Sequence, residues 1–231
     1  MKPVRFFVTG TDTGVGKTLV TAALLHNARA FGRQAVGLKP VSAGCSLVDG
    51  RWANADALLL QEHSSVRLDY AQVNPVALEP AMAPHIAARR AGTDLHAAPL
   101  VEAVRRVAEQ NHDALLVEGA GGWLVPLNDT ETMADVAAGL GYPVILVVAM
   151  RLGCLNHALL TARAIEAAGL PLAGWIANMT GPAMDALDDN LQALEQRLPA
   201  LRLGTVPYLG APVTPGQVNT WLDGMSLFGD A

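Results

Sequence analysis

An apolar run, Val4-Arg5-Phe6-Phe7-Val8, feeds directly into Gly10-Thr11-Asp12-Thr13-Gly14-Val15-Gly16-Lys17-Thr18, and helix-forming residues follow from Leu19 to about Phe31. Strand, glycine-rich loop, Lys-Thr and helix, in that order, is the setting of a phosphate-binding loop. Such a loop and the first helical turn after it aim backbone N–H groups at an anion. Its lysine reaches the β- and γ-phosphates, and the adjoining hydroxyl can ligate Mg²⁺. The spacing is irregular. In the pattern G-x-x-x-x-G-K the first glycine would fall at Thr11, whereas Gly10 stands one residue earlier. A chain built around this segment is expected to bind a nucleoside triphosphate.

Hydrophobic residues make up 51% of the 231 positions and charged residues only 16%, a balance that suits a sheet covered on both faces. That length buries one full core more readily than two small ones, so a single domain over residues 1–231 is expected. The net charge of −5, without any basic cluster, argues against a nucleic-acid partner. Cys45 and Cys154 lack a metal-ligand spacing and read as free thiols of a reducing compartment. The apolar stretch after Lys2 is too short for a secretory signal, and no run reaches the roughly 20 residues of a membrane span. A cytoplasmic location, with no membrane contact, is the expectation.

Short apolar runs alternate with helix-length segments. Strands are expected over Val4–Thr9, Ala35–Lys39, Ala114–Glu118, Val144–Ala149, Leu172–Asn178 and Arg202–Val206. Helices are expected over Lys17–Phe31, Ala55–His63, Leu100–Gln110, Met133–Leu140, His157–Ala168 and Met184–Leu198. Alternation of this kind implies right-handed crossovers and one parallel, doubly wound sheet. Gly32, Gly141 and Gly169 fall where helices should stop. The stretch from Leu68 to about Thr93 carries Pro75, Pro80 and Pro84 and reads as an extended loop leading into a short helix.

Ligands of open α/β sheets sit outside the carboxyl ends of the strands, so the residues at those ends are the candidates. Lys39, closing the second strand before Pro40, is either a second cation at the mouth of the loop or a solvated rim lysine. Asp56, near a helix start, is either a cap or a Mg²⁺ ligand completing the Thr18 site. Glu118 ends an apolar strand before Gly119-Ala120-Gly121-Gly122, the pattern of an acid that holds Mg²⁺. The segment Leu152-Gly153-Cys154-Leu155-Asn156 precedes a helix whose start suits an anion, with Asn156 a candidate N-cap. Asn178 ends the fifth strand, where an amide could pair with a purine edge. Trp123 reads equally as a core residue or as one packed over the site, and none of the six histidines shows metal or catalytic spacing.

Together these strand ends resemble the dethiobiotin synthetase family. The carrying residues are Thr9 to Thr18, Gly37-Leu38-Lys39-Pro40-Val41, Asn54-Ala55-Asp56-Ala57-Leu58, Val117 to Trp123, Leu152 to His157 and Gly174 to Asn178, collinear over most of the chain. The resemblance implies an α/β, single-domain P-loop NTPase-type fold with a mostly parallel seven- or eight-stranded sheet and helices on both faces. It implies a homodimer that uses ATP and Mg²⁺ to join CO₂ (or bicarbonate) to 7,8-diaminononanoate, giving dethiobiotin, ADP and phosphate through a carbamate and its mixed anhydride with phosphate. Carried over by position, Lys17 and Lys39 are the catalytic cations. Thr18, Asp56 and Glu118 hold the metal. Thr13, Gly14, Val15, Gly16, Lys17, Thr18 and Leu19 cradle ATP with Gly119, Ala120 and Gly121, while Asn178 and Pro207-Tyr208-Leu209 take the adenine. Thr11 and Ser42 face the diamine, and Leu152, Gly153, Cys154 and Asn156 take its carboxylate from the neighbouring subunit. Ala43 stands where many relatives carry a hydroxyl, and Gly14 where some carry glutamate. Two other families share parts of the pattern. Partitioning or septum-site ATPases carry a signature lysine where this chain has Asp12, and amide synthetases of cobalt-corrin acids append a glutaminase domain for which the chain has no room.

Overall fold

Runs such as Phe6-Phe7-Val8 or Ile145 to Val148 have no polar face, so they gain stability only where both sides of the strand are covered. The computed structural model, which describes residues 3–182, 184–210 and 212–229, places them in the middle of one sheet. Strand β1 (Val4–Gly10) passes through the glycine-rich loop into α1 (Lys17–Ala30), and β2 (Ala35–Leu38) follows. Next come the short strands β3 (Val41–Ala43), β4 (Ser46–Val48) and β5 (Arg51–Ala53), then α2 (Ala55–His63), α3 (Tyr70–Val73), β6 (Val76–Leu78), α4 (Pro84–Ala91) and α5 (Ala97–Ala108). The second half alternates simply: β7 (Ala114–Glu118), α6 (Met133–Leu140), β8 (Val144–Ala149), α7 (Cys154–Ala167), β9 (Leu172–Asn178), α8 (Leu187–Glu195) and β10 (Arg202–Val206). Two short helices, α9 (Pro215–Asn219) and α10 (Met225–Phe228), close the chain.

The main sheet runs β10-β9-β8-β1-β7-β2, and every neighbouring pair is parallel. Successive side chains enter opposite cores. Phe6 and Val8 join Leu24, Leu25 and Phe228 beneath α1, α9 and α10, whereas Phe7 joins Val104, Val136 and Trp123 on the other face. Over β8 and β9 that second face is covered by α7 and α8, with Trp175 fully buried among Leu146, Ala158 and Leu194. Each such aromatic removed from water contributes roughly 2–3 kcal/mol. Trp123 is a core residue, edge-on to Phe7 at 6.2 Å.

Six strands form the main sheet among the described residues, not the seven or eight implied by the resemblance. Pro40 offers no N–H to extend the β2 ladder, so the chain turns off it and β3 pairs in parallel with β6 as a separate ribbon. The hairpin of β4 and β5 turns at Asp49-Gly50, both with positive φ (49° and 78°), as a two-residue loop requires. Three helices differ from expectation at their ends. Helix α7 starts at Cys154 rather than His157, because Gly153 (φ 94°) is its N-cap, which removes Asn156 from that role. Helix α5 starts at Ala97, since Pro99 in a first turn lacks only an N–H that would have no helical partner. Helix α8 covers only Leu187–Glu195, entered through Ala186 at φ 52°.

Helices α1 and α2 meet through His26 and His63, whose Nε2 and Nδ1 lie 2.9 Å apart. One ring must donate and the other accept, so the contact needs neutral imidazole. Burial first, then His63 and Arg29, push the His26 pKa below its usual 6.5. A lowered base pKa means that the unfolded chain takes up the proton before the folded one does. This contribution is therefore intact above pH 6.5 and is lost as pH falls toward the folded value. Urea unfolding at about pH 7.5 and about pH 5 should show a larger acid loss of stability in the wild type than in His26→Gln. Equal losses would exclude the pair as a pH-sensitive seam.

Candidate functional site

Because the strands are parallel, their carboxyl ends share one edge, and sheet order dictates which ends touch. From β2 to β9 that edge presents Lys39, Glu118, the glycine-rich loop, Arg151 and Asn178. The loop rises at the switch point, between neighbours β7 and β8. Its bends at Gly14 and Gly16 have φ of 73° and 87°, so L side chains would be strained at both. Gly16 is also the N-cap of α1, and a Cβ there would drive into the Asn178 amide. Asn178 donates to the Val15 carbonyl at 2.8 Å, and Lys17 Nζ reaches the Asp12 carbonyl at 3.1 Å. Asp12 accepts from the Thr13 N–H at 2.7 Å and pairs with Arg151 at 2.7 Å. Neighbouring strand ends thus brace the loop from its β8 and β9 side.

On the other side lies a compact charge cluster. Lys39 Nζ sits 2.5 Å from Glu118 Oε1 and 2.7 Å from Asp56 Oδ2, and Thr18 Oγ1 donates to Glu118 Oε1 at 2.9 Å. Glu118 is 0% exposed, Lys39 5% and Lys17 6%. Asp56 does not cap α2. The Asn54 side chain does so, accepting from the N–H groups of Asp56 and Ala57, which leaves the Asp56 carboxylate for the cluster. Burial is the largest influence on Lys39 and opposes its charge, yet Glu118 and Asp56 together outweigh it and hold the ammonium above the usual lysine range. Burial likewise opposes the Asp56 charge, and Lys39 overcomes it, keeping that carboxyl below its usual range. Lys17 lacks such close partners: burial lowers it to about 8, against the pull of Glu118 and with Lys39 adding to the fall.

The donor set suits Mg²⁺. Glu118 Oε2 is buried without a hydrogen-bond partner, a costly state for a carboxylate oxygen unless a cation takes it. Thr18 Oγ1 and the Asp56 carboxylate add further hard oxygens within the same cluster.

Two cavities meet here. One of about 600 Å³ is lined by Thr13, Gly14, Gly16, Lys17, Thr18 and Leu19, facing Lys39, Asp56 and Glu118. A second, of about 520 Å³, shares Thr13, Lys39, Asp56 and Gly121 with the first and extends past Ala120 to Ala43, Met82 and Val125. Other expected residues serve as supports. Val15 is buried, Thr11 donates its N–H to Val147 O, and Gly119 donates to Val8 O with a Cβ position 3.1 Å from Phe7. Ser42 borders the second cavity, but its hydroxyl donates to Asn74 Oδ1 at 2.7 Å. Pro207 lines a different cavity along β10, and Tyr208 and Leu209 line neither of the two beside the loop. Leu152, Gly153, Cys154 and Asn156 also lie outside both; Cys154 packs into the core while Leu152 is 95% exposed. Sequence reasoning missed Arg151, Asn54, Tyr70 and Asn74. For Asn74 there was one signal, the proline after Lys39, which strips that strand end of a ladder partner.

Residues 4–215 match a sequence family described as an AAA domain. The ATP-dependent dethiobiotin synthetase BioD of Pseudomonas paraeruginosa is 54% identical over 218 residues, 94% of this chain and 95% of that protein. The protein of the same name from Cellvibrio japonicus is 53% identical over 209 residues, 90% of this chain and 91% of its own. Among solved structures, the MinC:MinD cell division protein complex of Aquifex aeolicus aligns with a TM-score of 0.61 at 15% identity, covering 99% of this chain and 96% of that one. The septum site-determining protein MinD of Pyrococcus horikoshii, complexed with Mg-ADP, gives 0.57 at 19% identity, covering 98% and 95%. At those identities the structural likeness establishes the P-loop NTPase-type fold alone.

The loop geometry yields a direct test. In Gly16→Ala, the left-handed backbone and the displaced Asn178 amide together should cost about 1–3 kcal/mol. For a chain of this size that corresponds to a thermal midpoint lower by several degrees, roughly 2–4 °C per kcal/mol. A midpoint unchanged from wild type would show that Asn178 and Gly16 do not constrain each other.

Proposed function

The chain belongs to the ATP-dependent dethiobiotin synthetases, and on that premise we infer that it is a ligase of biotin synthesis that spends ATP to close the ring of dethiobiotin. We propose 7,8-diaminononanoate and CO₂, or bicarbonate as its source, as the partners of ATP in that reaction. One amine takes up CO₂ as a carbamate, the γ-phosphoryl group passes to the carbamate oxygen, and the second amine closes the cyclic urea with release of phosphate. The observation that carries this reading is the meeting of the two cavities at Lys39 and Thr13. A triphosphate in the first and a carbamate in the second would approach each other beside the same ammonium.

No protein nucleophile is needed; positioning and charge supply the rate. Lys39 would hold the carbamate oxygen against the γ-phosphate, and Lys17 would follow the charge that moves with the phosphoryl group. Burial lowers the Lys17 pKa to about 8, and a polyphosphate beside it would favour the ammonium. Mg²⁺, held by Thr18, Asp56 and Glu118, would neutralise charge on the β- and γ-phosphates. Gly14 to Leu19 would cradle the phosphates, and Asn178 with Pro207–Leu209 would take the adenine. The apolar wall of Ala43, Met82 and Val125 suits the aliphatic chain of the diamine.

We further propose that the active unit is a homodimer. The residues of the Leu152–Asn156 helix start line neither cavity of their own chain, and Leu152 and Leu160 beside it are exposed (95% and 62%). A partner's copy would bring this start to the diamine carboxylate. A cytoplasmic location agrees with the two free cysteines, and no helix among the described residues is long and apolar enough to cross a membrane. Asp12, where a partitioning ATPase would carry lysine, is tied to Arg151, which speaks against the nucleotide-switch alternative.

Purified protein given 7,8-diaminononanoate, bicarbonate and Mg·ATP should form dethiobiotin and release phosphate only when the diamine is present; phosphate release that ignores the diamine would sink the assignment. Lys39→Ala should lower kcat by about 10²–10³-fold while its far-UV circular dichroism stays native at saturating Mg²⁺. Undiminished turnover would remove Lys39 from the reaction.

A further inference from the structure

Lys39 follows the last residue of β2, an edge strand of the main sheet, with a proline behind it, and its backbone has no ladder partner beyond Leu38. Its ammonium is held by Glu118 at the end of β7, but nothing in the sheet holds its backbone. What fixes it instead comes from the segment between α3 and β6. The Lys39 N–H donates to Val73 O at 2.8 Å, and its carbonyl accepts from Asn74 Nδ2 at 2.6 Å. The same amide group donates to Val76 O at 3.2 Å. Asn74 Oδ1 in turn accepts from Ser42 Oγ at 2.7 Å and from Tyr70 Oη at 2.9 Å. The amide therefore uses both donors and both lone pairs, at 3% exposure, with no capacity left over.

The network reaches the second arm of the charge cluster as well. Tyr70 Oη accepts the Asn54 N–H at 2.8 Å, and Asn54 caps the helix that begins next to Asp56 while donating from its amide to Ala43 O at 3.2 Å. One buried side chain thus joins the strand end carrying Lys39 to the helix start carrying Asp56. A fully satisfied polar network in a low-dielectric interior is stiff, because each bond it loses leaves an unpaired group.

We propose that Asn74 is a positioning residue for phosphoryl transfer: by holding the Lys39 carbonyl, and through Tyr70 the Asn54 cap beneath Asp56, it fixes the aim of the Lys39 ammonium without touching nucleotide or substrate. This rests on the reaction inferred above. It separates two properties that a general structural role would join. The glycine-rich loop makes no contact with Asn74 in this network, so replacing Asn74 leaves the phosphate cradle itself in place. The chemical step depends on where Lys39 points, and displacement by about 1 Å can cost about a hundredfold in rate.

The test begins with wild-type protein, diamine, bicarbonate and Mg·ATP. If wild type forms no dethiobiotin, the reaction itself is wrong, which is a different failure from the one considered next. With wild type active, Asn74→Ala should retain its far-UV spectrum and a KM for ATP within about threefold, while kcat falls by about 10- to 100-fold. Tyr70→Phe, which removes a hydroxyl and keeps the ring, should show the same split with a smaller fall in kcat of about 3- to 10-fold. Should Asn74→Ala fail to fold, Tyr70→Phe carries the test alone. A folded Tyr70→Phe or Asn74→Ala with wild-type kcat would overturn the proposal. So would parallel losses in kcat and ATP affinity, the signature of a site that has merely loosened.

Discussion

The Glu118 carboxylate is the constraint on which this end of the molecule depends. It closes β7, the strand between β1 and β2, and it is entirely removed from solvent. A bare carboxylate in such a place would be costly without partners. It stays compatible with the fold because the chain beyond each flanking strand delivers a donor, Thr18 from the first turn of α1 after β1 and Lys39 from just past β2. The parallel register makes that delivery automatic, since Val8 pairs with Glu118 and Leu38 with Val117. Breaking such a buried pair by deleting one partner typically costs about 3–5 kcal/mol. The cost explains why a functional cluster can also serve as a keystone of the sheet edge.

The main sheet was legible because parallel strands buried on both faces leave unbroken apolar runs. β7, β8, β9 and β10 have the boundaries their runs imply. The small elements were not legible in the same way. β3 and β6 have three residues each, too few for a period to register, and they pair across more than thirty intervening positions. The β4–β5 hairpin is different: Asp49-Gly50 is a strong local turn signal that a search for longer strands passes over. Two helix starts were not legible, α7 because Asn156 reads as its cap and α8 because no signal marks Leu187. α7 and α8 are entered through left-handed residues, Gly153 and Ala186, whose role is conformational rather than chemical.

Within the site, the identity of the charged residues was legible and their division of labour was not. Asp56 beside a helix start reads as a cap until Asn54 is seen to perform that task, which frees the acid for Lys39. Ser42 beside Lys39-Pro40 reads as a substrate hydroxyl, and in the fold that hydroxyl donates to Asn74 Oδ1. Asp12 reads as a mere departure from a motif until Arg151 arrives from the end of β8. In each case the partner is distant in sequence and brought close by sheet order. Local spacing cannot carry that information.

The cluster also has an asymmetry that bears on the chemistry. On the β8 and β9 side the loop is held through backbone carbonyls and an exposed ion pair, contacts that fix its shape but add little field. On the β2 and β7 side two ammonium groups and two carboxylates lie close together with Glu118 and both lysines buried, where charge interactions are weakly screened. A phosphate entering the first cavity would meet an environment already polarised on the side where the second cavity opens. Lys39 is the most sheltered cation on that side; its ammonium is held by Glu118 and Asp56, and its backbone, just past an edge strand, is held by Val73 and Asn74. On the proposed reading, the sheet would build the nucleotide half of the site, and the segment pinned to it by Asn74 would build the half where a second substrate is set against the phosphate.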